Sequence, residues 1–254
     1  MTELTQESLL ALMLVFCRVG GCFLLIPGIA SERVPAQVRS FLAFAISAAI
    51  GPLVMDDLRE AAVTDAARFL PFVISETATG LLLGLLVRLF FFALEFAAIG
   101  AANYAGYGSA FTHAIESAES ASPFSTLITL PATALFFILD LHIKLIELLR
   151  QSYATLPPGR SYDLAPSLSK VVATLASSFL TTLQVSAPLI VFSITINLML
   201  GLLNKMIPQI PAYYISTPFL LLGGLCILYF LTGTVLLSFE SNVAIFLAEM
   251  ISRD

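Results

Sequence analysis

The sequence predicts an all-α, membrane-associated protein built from long, kinked apolar helices, and three observations carry that prediction. First, 58% of its 254 residues are hydrophobic and 11% are charged, with a mean hydropathy of +0.95. Ordinary soluble domains carry roughly 25% charged residues, and a water-soluble fold cannot hide this much apolar surface. Second, the apolar residues fall in long runs separated by short polar or proline- and glycine-marked breaks, as in helices that satisfy their backbone groups internally. Third, prolines and ionisable residues sit inside those runs, where they call for bends and polar contacts. The runs read as one domain over residues 1–254, with neither an internal repeat nor a domain-scale linker. The net charge of −5 is small and spread out, and no basic cluster suggests nucleic acid. Tryptophan is absent, so an interfacial aromatic belt would rest on tyrosine and phenylalanine. Cys17, Cys22 and Cys226 lie in apolar runs at spacings that fit no metal motif, and with two histidines no metal or cofactor is expected.

Taken in order, the opening segment is acidic and lacks the basic region of a signal peptide. Ser8 is expected to cap the first helix, with Leu9 to Leu25 as its apolar body. Arg18 lies inside that run and must face protein or water. Gly20-Gly21 would let another backbone approach closely, and Pro27-Gly28 ends the helix. Pro35 is placed to start the next helix. Phe41 to Val54 is short for a full span, is closed by Gly51-Pro52, and reads as re-entrant or partly embedded. Asp56 to Arg68 reads as a charged connector forming an amphipathic surface helix. Phe69 to Ala102 is nearly continuous. As one helix it would be ~50 Å long at ~1.5 Å per residue, against a hydrocarbon core of ~30 Å. Gly80 and Gly84 form a GxxxG face, with Glu76 one turn before it and Arg88 one turn after; the face serves generic helix packing or a specific dimer. Arg88 and Glu95 share a helix side but lie too far apart to pair directly. Each of these charges therefore calls for a partner on a neighbouring helix or chain.

Asn103 to Ser122 breaks the apolar pattern; it is rich in glycine, serine and alanine and has no Lys or Arg. Pro123 and Pro131 bracket the start of a run reaching Leu139, and Asp140 and His142 follow in the same helical pattern. Two residues apart, they point to different helix sides and are no acid–base pair. Lys144 to Lys170 is the most basic connector. Val171 to Leu203 is a long helix in which Pro188 marks a bend and Asn197 needs a partner on another helix. Phe219 to Phe239 is the last apolar run, and the tail beyond it reads as amphipathic, lying on the membrane surface or docking on a partner. If the six runs are spans, the termini share the side with more Lys and Arg, which favours cytoplasmic termini.

No nucleophile elbow, phosphate loop or paired-carboxylate signature is present. Ser109 and His113 stand without a second supporting motif, so an enzyme is not expected. Two classes remain, with an accessory membrane assembly factor as a less specific third. One is a secondary transporter, whose broken helices and buried charges bind a solute near the midplane. The other is a subunit of a multi-protein conduit, and helices longer than the bilayer favour it, because protein neighbours can cover the extra apolar length.

Several groups of residues, in order and spacing, resemble the FliR family of flagellar type III export-gate proteins. The fullest is Ala187-Pro188, Asn197, Gly201, Leu203-Asn204-Lys205 and Ile207-Pro208-Gln209. Arg18, Gly20, Pro27, Val34-Pro35 and Arg39 resemble the family's N-terminal signature. Gly80, Gly84, Arg88 and Glu95 resemble its middle helix, and Asp140, His142 and Ser152 a later segment. Lys205 departs from the arginine more usual there, keeping charge but losing bidentate pairing. The resemblance implies a one-copy subunit of a helical gate assembled with FliP-like and FliQ-like proteins. That gate would lie in the bacterial inner membrane, at the centre of the flagellar basal body, and pass unfolded protein substrates. FlhB and FlhA would be further partners, and the C-terminal third would resemble a FliQ-like hairpin. Helix packing and subunit contacts are expected at Arg18, Pro35, Gly80, Gly84, Arg88, Glu95, Pro188, Asn197, Gly201, Asn204 and Pro208. The equivalent subunit of a virulence type III system is the closest alternative.

The break at Asn103 to Ser122 is expected to be a plug in the conduit, against the plainer reading of a solvent-exposed loop. Lying between apolar helices, it must sit in water, a polar lumen or against protein. Gly106 and Gly108 allow tight turns, Phe111 and Ile115 can seal against apolar neighbours, and His113 lies between them. The resemblance points the same way. Deleting residues within Gly106 to Ser120 should leave the gate assembled while the inner membrane leaks ions, as read by a membrane-potential dye. An intact complex with unchanged permeability and export would leave the segment a connector.

Overall fold

The computed structural model describes residues 2–31, 33–62, 66–104, 123–157, 164–207 and 212–252. Among them are seven α-helices: α1 (Thr2–Phe23), α2 (Ala36–Ala62), α3 (Ala66–Tyr104), α4 (Pro123–Ile138), α5 (Leu141–Thr155), α6 (Leu164–Met206) and α7 (Ala212–Ser252). The chain is an all-α membrane protein. Among the described residues, four stretches are long and apolar enough to cross a bilayer: Ala36–Val54, Phe69–Gly100, Ser186–Met206 and Pro218–Ile251. A bent pair, Thr126–Ile138 with Leu141–Thr155, would make a fifth. Ser8–Phe23 and Val171–Gln184 are shorter apolar helices.

The helix boundaries correct several expectations. Ser8 is inside α1, which begins at Thr2 and ends at Phe23. The chain then turns, and Gly28 takes a left-handed φ of 85° that its missing Cβ permits. Pro35 does open α2, its carbonyl accepting the Arg39 N–H at 3.2 Å. Gly51-Pro52 does not close that helix. It runs for 27 residues through Pro52 to Ala62, so residues 56–62 continue the apolar helix instead of starting a separate surface helix, and residues 66–68 open α3. A proline costs such a helix one backbone bond, a loss that neighbouring groups and local adjustments can cover. The unbroken α3 is as expected, at 39 residues. So is a long α6, which extends to 43 residues with Pro188 inside it.

The expected continuity through Asp140 is overturned. Asp140 adopts a left-handed conformation (φ 56°, ψ 23°), which an α-helix cannot propagate; aspartate tolerates it better than most residues. The chain bends there by 66°. The tail after Phe239 is no separate surface helix, since it is the end of the 41-residue α7.

The chain divides into two compact units. The first holds residues 1–89, 136–175 and 243–254. In it α1 packs against α2, and Leu14, Val19, Leu58, Val87, Leu145, Leu149 and Leu247 are buried. Val243 and Leu247, from the predicted amphipathic tail, belong to this core. The second unit holds residues 90–135 and 176–242. Its contacts include Phe91 edge-on to Phe239 at 5.0 Å and Phe96 against Phe179 at 5.7 Å, geometries that add stabilisation beyond burial.

In the first unit α1 and α3 touch backbone to backbone. A Cβ at Gly21 would lie 2.7 Å from the Thr77 carbonyl oxygen, and one at Gly84 would lie 2.6 Å from that of Cys22. At Gly80 a Cβ would overlap the Arg18 carbonyl group outright. The GxxxG face therefore packs on this chain's own first helix. Gly20 differs from expectation, with nothing within 4 Å of its Cβ position. Gly80→Ala should lower the melting temperature in detergent sharply, since overpacking typically costs ~1–3 kcal/mol and backbone cannot rotate away. Gly20→Ala should be neutral or stabilising by up to ~1 kcal/mol, because alanine is the better helix former. Equal melting of the two variants would contradict the assigned crossing.

Candidate functional site: a buried arginine node

The backbone contact between α1 and α3 brings two ionisable side chains together. Arg18 and Glu76 are each 1% exposed. Arg18 Nε donates to Glu76 Oε2 at 2.6 Å and Nη2 to Oε1 at 2.9 Å, a bidentate fork. Nη1 donates to Ser152 Oγ at 2.9 Å, and Nη2 also donates to the Leu156 carbonyl at 2.9 Å. The Ser152 hydroxyl in turn donates to the Leu149 carbonyl at 2.7 Å. The Tyr153 ring lies over the guanidinium, 3.8 Å from Cζ to centroid, where the ring face attracts a cation.

Each element has a local reason to deliver its group. Glu76 precedes Gly80 by one turn, so it faces the same neighbour as the glycine crossing. Ser152 and Tyr153 occupy the last turn of α5, whose carbonyls lack intrahelical donors. A cation at a helix C-terminus is favourable, and Arg18 bonds the Leu156 carbonyl just past that end. Desolvating two charges is costly, and the cost is offset only when geometry is good and the remaining polar groups are satisfied. Here the fork, the hydroxyl, the carbonyl and the ring supply those conditions. The arrangement holds no exposed nucleophile and is suited to fastening three helices.

Comparison with known proteins decides what this scaffold is. The family model for "Bacterial export proteins, family 1" matches residues 9–245. The chain is 29% identical over 217 residues to the flagellar biosynthetic protein FliR of Caulobacter vibrioides, covering 85% of each. It is 30% identical over 211 residues to the Escherichia coli protein of the same name, covering 79% of this chain and 76% of that one. The chain belongs to the FliR family. The secretion system apparatus protein SsaT of Salmonella typhimurium is also similar, 25% identical over 222 residues, with 86% of this chain and 85% of that one covered.

The residues singled out from this FliR-family sequence fall into distinct groups. Arg18, Glu76, Gly80 and Gly84 converge on the node. Of the neighbouring helix or chain that these charges call for, Arg18 and Glu76 find the neighbouring helix, because the two pair with each other; reliance on other subunits is not needed for this pair. Arg88 Nη1 approaches the Leu25 carbonyl at 3.4 Å, and Glu95 is half-buried in the second unit. Asn197 does not reach another helix. Its amide donates to the Ser193 carbonyl at 2.9 Å and to the Ser193 hydroxyl at 3.2 Å, one turn back on α6. Pro188, Gly201 and Asn204 are exposed on α6. Pro208 lies outside the described residues, as do Gly106, Gly108, Phe111, His113 and Ile115 of the expected plug.

Sequence reasoning missed Tyr153 and Leu156, whose roles depend on where α5 ends. It also missed Glu240, 2% exposed in the second unit, whose carboxylate oxygens have no partner among the described residues. A carboxylate immediately after an apolar run was its signal.

For this FliR-family chain, Arg18→Met should destabilise the fold by roughly 3–5 kcal/mol, the usual consequence of stranding a buried charge. Arg18→Lys should rescue it poorly, because an ammonium cannot form the fork. The double variant Arg18→Met/Glu76→Leu should cost clearly less than the two single changes added together. Thermal unfolding in detergent measures all four proteins; strictly additive losses would mean that the pair is not coupled.

Proposed function

We propose that this chain is a subunit of the flagellar type III export gate in the bacterial inner membrane, forming with FliP-like and FliQ-like subunits a conduit for unfolded substrates. The observation that carries the reading is the match to the export family across residues 9–245, together with relatives named for flagellar biosynthesis. The exposed apolar surface supports it. Within an 18-residue apolar window of each span, only 6% of residues in Ser186–Met206 and 11% in Pro218–Ile251 are buried within the chain, against 50% in Phe69–Gly100. Long apolar faces left open in one chain are what an assembled subunit brings to its neighbours. In this reading the arginine node holds the first unit rigid while the open faces of α6 and α7 meet lipid or protein, and FlhB and FlhA act alongside. The likeness to SsaT favours the equivalent place in a virulence type III apparatus as the second reading.

Loss of the gene should abolish swimming motility and the appearance of flagellar subunits in the culture medium, and the full-length chain should restore both. The tagged chain should copurify with several copies of FliP- and FliQ-like proteins. Normal flagellar export in the deletion strain would overturn the flagellar reading, and loss of effector secretion instead would establish the second one. A stable, solute-transporting monomer would point to a transporter.

A further inference from the structure

The corner between α4 and α5 carries three costs that nothing local offsets. Asp140 sits there at φ 56° and ψ 23°, and among the described residues it is the one non-glycine residue with a positive φ. An L-side chain is disfavoured in that region, aspartate less than most. Asp140 also holds the N-cap position of α5, where its carboxylate would ordinarily accept an N–H of the first turn, yet it makes no such bond. Third, the His142 ring lies against Phe137, 5.3 Å between centroids, with Nδ1 buried and without a partner among the described residues. A buried polar atom left in this way is uncommon enough to call for an explanation.

The local sequence does not ask for a break. From Ala132 to Leu156 there is neither glycine nor proline, and the two helices read as one helical pattern through Asp140. In an unbroken helix the Ile143 N–H would bond the Leu139 carbonyl. Here it donates to the Asp140 carbonyl at 3.0 Å, and the Asp140 N–H donates to that of Phe137 at 3.3 Å, the tighter 3₁₀ spacing. Phe137 and His142 stand five residues apart, which on a straight helix sets them on different sides. Their contact exists only because the chain bends, by 66°. What opposes continuity is tertiary. Leu141, Leu145, Leu148 and Leu149 of α5 are buried, and Arg18 bonds Ser152 and the Leu156 carbonyl at its far end. A local preference overruled by the surrounding fold, at a residue in a sparsely populated conformation, marks a strained element with a second arrangement available to it.

We propose that the α4–α5 corner is a conformational switch. It is bent while the arginine node and the buried leucines hold α5, and it becomes one unbroken helix over residues 123–155 when that hold is released. In the straight state Asp140 takes ordinary helical dihedrals, the first-turn N–H groups of α5 bond carbonyls of α4, and His142 leaves Phe137. Up to Leu135, α4 belongs to the second unit, and α5 belongs to the first, so the switch sits in the chain connection between the two. It does not depend on the function proposed above.

The test uses the full chain in nanodiscs, with Cys17, Cys22 and Cys226 changed to alanine and spin labels attached at Leu127→Cys and Ala154→Cys, both exposed positions. Double electron–electron resonance reads the separation of the labels, about 40 Å along an unbroken helix at ~1.5 Å per residue and several ångströms less across the bend. The parent should populate both separations, with the short one dominant. Asp140→Ala favours a helix and disfavours a positive φ, so it should raise the ratio of long to short about tenfold. Asp140→Gly accepts the positive φ freely and should lower that ratio about as much. Ser152→Ala, which takes one bond from the node, should raise it about fivefold. Asp140 is exposed, so its two variants decide the matter even if Ser152→Ala fails to fold. A single short separation that neither substitution at Asp140 shifts would overturn the proposal, and so would a shift in the same direction for both.

Discussion

Everything in the first unit depends on the distance between α1 and α3. Arg18 and Glu76 form a two-pronged bond only because Gly21, Gly80 and Gly84 remove the side chains that would hold the helix axes apart. Without a Cβ at these positions, carbonyl groups of one helix lie against the backbone of the other. Small residues promote such crossings in lipid, where no hydrophobic force draws helices together. The glycines alone would yield a close but weakly specified contact. The ion pair adds register, since a shift of one residue along either helix would swing one charge toward a wall of leucine and valine. Close approach and charge pairing therefore fix different degrees of freedom, and each makes the other worthwhile.

The node also explains how α5 is held. This helix follows a sharp bend at Asp140, a non-glycine residue in the left-handed region, so its direction is not inherited from α4. Arg18 reaches its end through Ser152 and Leu156, and Tyr153 closes over the guanidinium. Removing the arginine would free the α1–α3 crossing and the α5 terminus together. The second unit is held in part differently. Its contacts include the aromatic edges of Phe91 on Phe239 and Phe96 on Phe179, and such packing fixes position less sharply than directional bonds do.

Much of this was legible in the residues. Hydropathy and length indicated helices and membrane, and the intramembrane charges with the glycine spacing marked Arg18, Glu76, Gly80 and Gly84 as packing positions. The pairing of Arg18 with Glu76 was not legible, because nothing local links residues 58 apart in sequence. Helix ends were misplaced where water-based rules were applied to lipid. Pro52 suggested a stop, yet α2 passes through it, since a bilayer offers no competing solvent for the backbone. At Asp140 the opposite happened: no glycine or proline announced the break, because aspartate is one of the few other residues that accept a positive φ. The tail after Phe239 read as amphipathic, lying on the membrane surface or docking on a partner, because its polarity rises there. Only the three-dimensional arrangement shows Val243 and Leu247 turned into the first unit's core.

The uncovered face of α6 bears on how such a chain can join an assembly. Its exposed residues include Val191, Ile194, Leu198, Met199, Leu202 and Leu203. Two polar side chains among them bond back along the helix: Thr195 donates to the Val191 carbonyl at 2.8 Å, and the Asn197 amide nitrogen donates to Ser193. A lipid-facing Asn with no partner would demand a protein neighbour more strongly than one whose amide nitrogen is bonded to its own helix, which leaves only its carbonyl oxygen to be met. This face can therefore pass from lipid to a protein neighbour without breaking these hydrogen bonds. Selection between the two then rests on shape and dispersion contact. Gly201, with nothing within 4 Å of its Cβ position, leaves a shallow notch in a ridge of leucines. A notch of that kind suits a protruding side chain on a facing helix better than the mobile tails of lipid.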